Sequence, residues 1–324
     1  MSAPLLNTSH QIGSGNPAIV IGGNRSAQRW SYQDAFSRNR GLINSSEQET
    51  LRNTKVAIPG MGGVGGLHLV TLARLGIGRF VIADPDSFEC GNTNRQYGST
   101  INSIGRQKVD VMAEVATSIN PEIEITKING KIDSSNADDF LAGCDILVDG
   151  IDLYAIDARR HVFQRAAANN IHAVTAGPMG FSTCWLTFDP NGMTFDQYFD
   201  IHDNMSYGRK VISFLIGLCP NMLPLKYMDR REANPQEKRA PSVSSGCQLA
   251  TGVMAAEVIK LLLKRGPVKA APYFKIFDAY LGKYACKKLR FGNRGPIQQI
   301  KRTWLENDWK KRFKSIDFQN IEEN

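Results

Sequence analysis

Between Lys55 and Gly177 the chain alternates short apolar runs with helical patterns, and that alternation limits the fold more than any other feature. KVAIPG (55–60), RFVIAD (79–84), EIEITKI (122–128), DILVDG (145–150) and HAVTAG (172–177) read as buried strands. GVGGLHLVTLARLG (63–76), Arg106 to Ile119, ADDFL (137–141) and Ala155 to Asn169 read as the helices between them, the first ended by Gly76 and the second by Pro121. Parallel neighbours need crossovers of this length. The expected fold is therefore α/β, a Rossmann-like, doubly wound, mostly parallel sheet.

After Gly177 the pattern changes. STCWLTFDP (182–190) alternates at period two and YFKIFDAY (273–280) reads as a late strand, so antiparallel C-terminal strands are expected. Met193 to Pro241 reads as irregular, and Gln248 to Lys264 as a long amphipathic helix. Trp30 to Leu51 carries helical pieces, with Ser46 placed to cap one. The expected division is a loose arm over 1–28, a nucleotide-binding core over 29–190, a crossover insertion over 191–246, a return to the core over 247–282 and a basic segment over 283–324.

The first strand–helix junction is Gly60-Met61-Gly62-Gly63-Val64-Gly65. Glycines there allow a tight turn and close backbone approach, and the helix that follows offers N–H groups and a positive dipole end to a phosphate. Asp84 ends the next strand, where an acid meets ribose hydroxyls. This loop points to a nucleotide and leaves NAD and ATP open.

The residues that follow narrow the choice. Asp86 precedes GNTNRQ, which holds Asn92, Asn94, Arg95 and Gln96, and Lys108 lies twelve residues farther on. Hydride transfer has no need of Arg and Lys beside the ribose acid, whereas cleavage of a triphosphate builds charge that such groups neutralise. Asp149 and Asp152 end the fourth strand and face the same crevice, where an acid can hold Mg²⁺ through oxygen. Other readings stay open: Asp149 as a structural strand-end acid, Asn92 and Asp86 as turn or cap residues, Arg95, Lys108 and Arg38 as surface charges.

In their order along the chain, FSRN (36–39), GMGGVG (60–65), ADPDSFECGNTNRQ (83–96), GRQK (105–108), VDGID (148–152), AGPMGFST (176–183) and ATGVMAAEVIK (250–260) resemble the ThiF/MoeB/HesA superfamily, the adenylating relatives of ubiquitin-activating enzymes. The resemblance implies that a carboxylate attacks the α-phosphate of Mg-ATP, giving an acyl-adenylate and pyrophosphate. It implies that Gly60, Gly62, Gly63 and Gly65 wrap the nucleotide and that Asp84 and Asp86 hold the ribose. Asn92, Arg95, Gln96 and Lys108 would contact phosphates, and Asp152 would support Mg²⁺. Arg38 resembles an arginine that reaches the γ-phosphate of a partner subunit, which implies a homodimer. The acceptor would be the C-terminus of a ubiquitin-like or sulfur-carrier protein, a peptide or a small acid.

Some motifs depart from that pattern. Relatives that handle sulfur carriers commonly carry two CxxC pairs for zinc. The six cysteines here form none, so no structural zinc is expected, and their spread fits a reducing cytoplasm. Leu153 stands where an asparagine usually follows the Mg²⁺-site aspartate, and Pro59 enters the end of the first strand. Cys219, Cys184 and Cys247 are candidates for a thioester nucleophile, each with a core-packing alternative. His68 reads as a packing residue.

Composition excludes the remaining classes. With 42% hydrophobic and 22% charged residues the chain is neither disordered nor fibrous. No run of apolar residues is long enough to cross a membrane, and the N-terminus lacks the pattern of a secretory leader. Eleven Lys/Arg against two acids between Lys283 and Lys314 give +9, so the rest of a chain of net charge +8 is near neutral. With Trp304, Trp309 and Phe313 interleaved, this stretch reads first as a basic face anchored by aromatics, with an acidic protein or RNA as alternative partners. Two other functions are weighed against adenylation: an NAD(P)-dependent oxidoreductase, and a non-catalytic partner subunit of an activating enzyme.

Overall fold

A computed structural model describes residues 29–235, 237, 238 and 240–312. The arm over 1–28, Phe313 and Lys314 lie outside the described residues. In chain order the elements are α1 (Tyr32–Ala35), α2 (Ser45–Asn53), β1 (Lys55–Pro59), α3 (Gly65–Arg74), β2 (Arg79–Ala83), α4 (Lys108–Ile119), β3 (Glu124–Ile128), α5 (Ala137–Leu141), β4 (Ile146–Asp149) and α6 (Ile156–Ala168). Then come β5 (His172–Met179), β6 (Ser182–Phe188), α7 (Phe195–Phe199), α8 (Tyr207–Leu218), α9 (Ser244–Leu262), β7 (Tyr273–Asp278), β8 (Lys283–Lys288) and α10 (Pro296–Arg312).

The strands form one sheet in the order β3-β2-β1-β4-β5-β6-β7-β8. The first five run parallel, with Lys55 beside Arg79 and Asp149 beside Thr175. From β5 onward each neighbour is antiparallel, with Gly177 beside Cys184 and Ile276 beside Ala285. The expected fold is therefore present.

Two cores cover the two faces, because successive strand residues point to opposite sides. Val56, Ile58, Val148 and Val174 join residues of α3, α4 and α9. Ala57, Leu147, Ala173 and Cys184 join residues of α5 to α8, with Leu305 and Trp309 of α10.

Two local expectations are corrected, and one strand was not foreseen. Asn44, not Ser46, caps α2: its side chain accepts from Glu47 N, and the Glu47 carboxylate takes the Asn44 N–H in return. The insertion is not irregular throughout. It contains α7 and α8, and most of YGRKVISFLIGL is buried between the sheet, α6 and α10. KYACKK over 283–288 is strand β8 at the sheet edge, where exposed lysines hide strand character and blunt edge-to-edge pairing.

Candidate active site

Strand order reverses direction between β1 and β4, and in parallel sheets the crevice at that point receives the ligand. The glycine loop leaves β1 there. Gly60 has φ +89, and a Cβ on it would lie 2.2 Å from Gly150 O. A Cβ on Gly65 would lie 1.8 Å from Gly60 O. The turn is closed by Gly60 N–H donating to Ala83 O (2.6 Å) and Gly150 N–H donating to Pro59 O (3.1 Å). Pro59 ends β1, where its missing N–H breaks no ladder bond beyond the strand.

Asp84 is buried beneath this loop. Its Oδ2 accepts from Met61 N (2.6 Å) and its Oδ1 from Asp86 N (2.9 Å). Burial raises its carboxyl above the usual range, against the pull of Lys108 and the two N–H groups. Lys108 opens α4 with its side chain 7% exposed, and its Nζ stands 2.8 Å from Asp86 Oδ2 and 3.8 Å from Asp84 Oδ1. In this arrangement Lys108 is paired with both Asp84 and Asp86.

The NTNRQ segment lies over the loop. Arg95 Nη1 donates to Gly91 O (3.1 Å) and Asn94 Oδ1 (2.9 Å). Its stem crosses the glycines, since a Cβ on Gly63 would lie 3.7 Å from Arg95 Cγ. Gln96 is buried, its Nε2 is 3.8 Å from a Cβ placed on Gly62, and its Oε1 has no partner among the described residues. Asn92 is a turn residue whose Oδ1 accepts from Glu89 N (3.1 Å). Asn94 Nδ2 donates to Ser242 O (3.0 Å), tying this segment to the chain that enters α9.

At the end of β4 the two acids part company. Asp149 is buried and paired with Arg159, so it is a structural strand-end acid. Asp152 is exposed, and its Oδ1 accepts from Tyr154 N (2.9 Å). Arg159 escaped the sequence reading: in DARR it looks like any surface helix residue. Only its position under the β4 end shows it to be buried.

Arg38 is not brought to this crevice. It is exposed on a 3-10 turn (Ser37–Asn39), and its neighbour Asn39 donates to Leu75 O (3.3 Å) at the far end of α3. Ten residues of helix, about 15 Å at 1.5 Å per residue, separate that end from the glycine loop.

The candidate thiols are all buried. Burial pushes Cys184 up, and the Cys184 thiol pulls neighbouring Cys219 down against its own burial. Burial also raises Cys247, against Ser242 and Arg95. His68 is buried with Nδ1 2.9 Å from Thr251 Oγ1, and burial lowers its pKa to about 3. Among the described residues, no group of three or more His, Cys, Asp or Glu is placed to hold a metal by itself. No helix of the described residues is long and apolar enough to cross a membrane.

Residues 36–295 match the ThiF family. The chain belongs to the ThiF family. Among curated relatives, the tRNA threonylcarbamoyladenosine dehydratase of Bacillus subtilis (strain 168) is 36% identical over 118 residues, 36% of this chain and 46% of the relative. The sulfur carrier protein ThiS adenylyltransferase of Escherichia coli (strain K12) is 30% identical over 143 residues, 44% of this chain and 56% of the relative. The ThiF-family chain thus spans about half the length of the curated relatives it matches. Among solved structures, E. coli MccB with ATP superposes with a TM-score of 0.59 at 20% identity, covering 80% of this chain and 72% of that one. E. coli tRNA N6-threonylcarbamoyladenosine dehydratase, TcdA, gives 0.54 at 20%, covering 72% and 95%. Both likenesses concern the fold.

Proposed function

We propose that this ThiF-family chain is an ATP-dependent adenylyltransferase acting on a carboxylate. The observation that carries the reading is the convergence on one glycine loop of the Arg95 stem, the buried Gln96 amide and the Lys108–Asp84–Asp86 cluster. A carboxylate oxygen of the acceptor attacks the α-phosphorus of ATP, the bond from that phosphorus to the bridging oxygen of the β-phosphate breaks, and pyrophosphate leaves with its electron pair. Arg95 and Lys108 stabilise the charge that grows on the phosphate oxygens. Gln96 donates its amide N–H groups there, and Asp84 and Asp86 hold the ribose.

The donor set fits Mg²⁺ in the way that ion is ordinarily held, through one or two carboxylates and substrate phosphates instead of an all-protein cage. Asp152 is the carboxylate that would hold it, and the ion would neutralise charge on the departing pyrophosphate. Arg38, a helix-length from its own crevice, would serve the nucleotide of a second copy, so a homodimer is part of the proposal. The acceptor is a carboxylate on a carrier-protein C-terminus, a peptide or a small acid. This range is supported by relatives that are named for a sulfur carrier and for a modified tRNA nucleoside. The burial of Cys184, Cys219 and Cys247 favours adenylation without a thioester step. The unpaired state of all six cysteines supports a reducing compartment such as the cytoplasm.

Thermal unfolding tests the reading. Mg-ATP at a hundredfold excess over its Kd stabilises the native state by about 2.7 kcal/mol, so the melting temperature rises. Arg95→Ala and Lys108→Ala abolish most of that rise. A rise with NADH alone would replace the adenylation reading with the oxidoreductase one.

A further inference from the structure

Asp149 and Arg159 hold both polar groups of Ile151, the residue before Asp152. Ile151 N–H donates to Asp149 Oδ1 (3.0 Å), and Arg159 Nη2 donates to Ile151 O. The two side chains are tied to each other by Arg159 Nε donating to Asp149 Oδ2 (2.8 Å), and Thr175 Oγ1 from β5 donates to the same oxygen (2.7 Å). Asp149 and Arg159 are each 3% exposed, and the guanidinium carbon lies 4.4 Å from the centre of the Phe214 ring of α8.

The consequence for Asp152 is geometric. A peptide unit is planar, so fixing Ile151 C=O also fixes the N–H and Cα of Asp152. The loop is held on its other side too, since a Cβ on Gly150 would lie 2.5 Å from Gly60 O. The grip therefore sets where the Asp152 carboxylate stands relative to the glycine loop. Such a buried ion pair adds little stability over apolar packing of the same volume, because both charges lose their water. What it adds here is the orientation of one peptide.

We propose that the Asp149–Arg159 pair, braced by Thr175, is a positioning device that sets Asp152 for a divalent metal–nucleotide complex. The inference rests on the adenylation reading above. A matched control exists in the same sheet. Lys275 Nζ of β7 stands 3.0 Å from Glu257 Oε2 of α9, both residues are 5% exposed, and the pair touches no loop of the crevice.

The test is ATP affinity by calorimetry, without acceptor, in excess Mg²⁺ and again in chelator. It is run on the wild type, Arg159→Lys, Thr175→Val and Lys275→Met, with melting temperatures recorded. The wild type binds ATP more tightly with Mg²⁺. Arg159→Lys keeps the metal-free affinity and loses roughly 10- to 100-fold of the metal-dependent gain, the usual size of an outer-shell effect. Thr175→Val, a small change that spares the fold, loses part of the same gain. Lys275→Met melts earlier and keeps the whole gain. The inference is overturned if Arg159→Lys and Thr175→Val retain the wild-type gain, or if their two affinities fall in parallel with melting temperature. Absence of ATP binding by the wild type in both conditions removes the nucleotide reading itself, and this inference with it.

Discussion

In the parallel half of the sheet, β1, β2 and β4 all end toward one crevice and leave there Gly60, Asp84, Asp149 and the loop to Asp152. In the antiparallel half, β5 to β8 reverse direction at each step, so their ends alternate between the two sides of the sheet. Charged residues are buried in both halves, with different results. Asp149–Arg159 sits at a strand end and grips a loop, whereas Lys275–Glu257 lies in mid-strand and ties a helix to the sheet. Uniform strand direction is what gathers these polar groups into one place.

The largest break in this comparison comes from Gly65→Ala. A Cβ there meets Gly60 O at 1.8 Å, and both partners are backbone. We expect a loss of roughly 4 kcal/mol or more in urea unfolding, or failure to fold, since strain against fixed backbone is among the few causes of effects that large. A variant within about 1 kcal/mol of the wild type would mean that the loop is not packed as described.

His68 tests the joint between the halves, since it links α3 to Thr251 of α9. Its pKa is about 3 in the folded chain and 6.5 ordinarily, because burial disfavours the charged ring. Below pH 6.5 the unfolded chain takes up a proton that the folded chain refuses. Its contribution is therefore complete above that pH and is lost as pH falls toward 3. The expected slope is about 1.4 kcal/mol per pH unit. In His68→Gln, denaturant unfolding at pH 5, 6 and 7 should lack that one-proton slope. An unchanged slope would place the titrating group elsewhere.

The smallest effect has the opposite sign. Gly252 lies exposed in mid-helix on α9, and a Cβ on it meets nothing within 4 Å. Gly252→Ala should stabilise by about 0.5–1 kcal/mol, read as a higher urea midpoint with the ATP-induced shift intact. The same change of residue thus separates a glycine required by the crevice from one that is not.

Much of the site was legible because its residues are contiguous. A strand, four glycines, a helix and Asp84 form one short stretch, and local backbone physics alone brings them together. Arg95 and Gln96 were legible as a motif, and the structure sets them across that loop. Lys108 was legible as a cation, yet its pairing with Asp86 across 22 residues depends on how α4 packs. Arg159 and α8 were not legible. The first looks like a solvated helix arginine, and the second is a short apolar run followed at once by Pro220, Pro224 and a charged patch, which together read as irregular chain.

The sequence by itself determined the strand and helix order, the glycine turn and the chemical character of the crevice. These depend on spacing, backbone freedom and residue type along a few consecutive positions. Only the tertiary structure decided which charges are buried, which carboxylate stays exposed, and that Arg38 stands apart from the crevice. Burial and distance depend on how whole elements pack together, and no local pattern records which side of a helix the rest of the chain will cover.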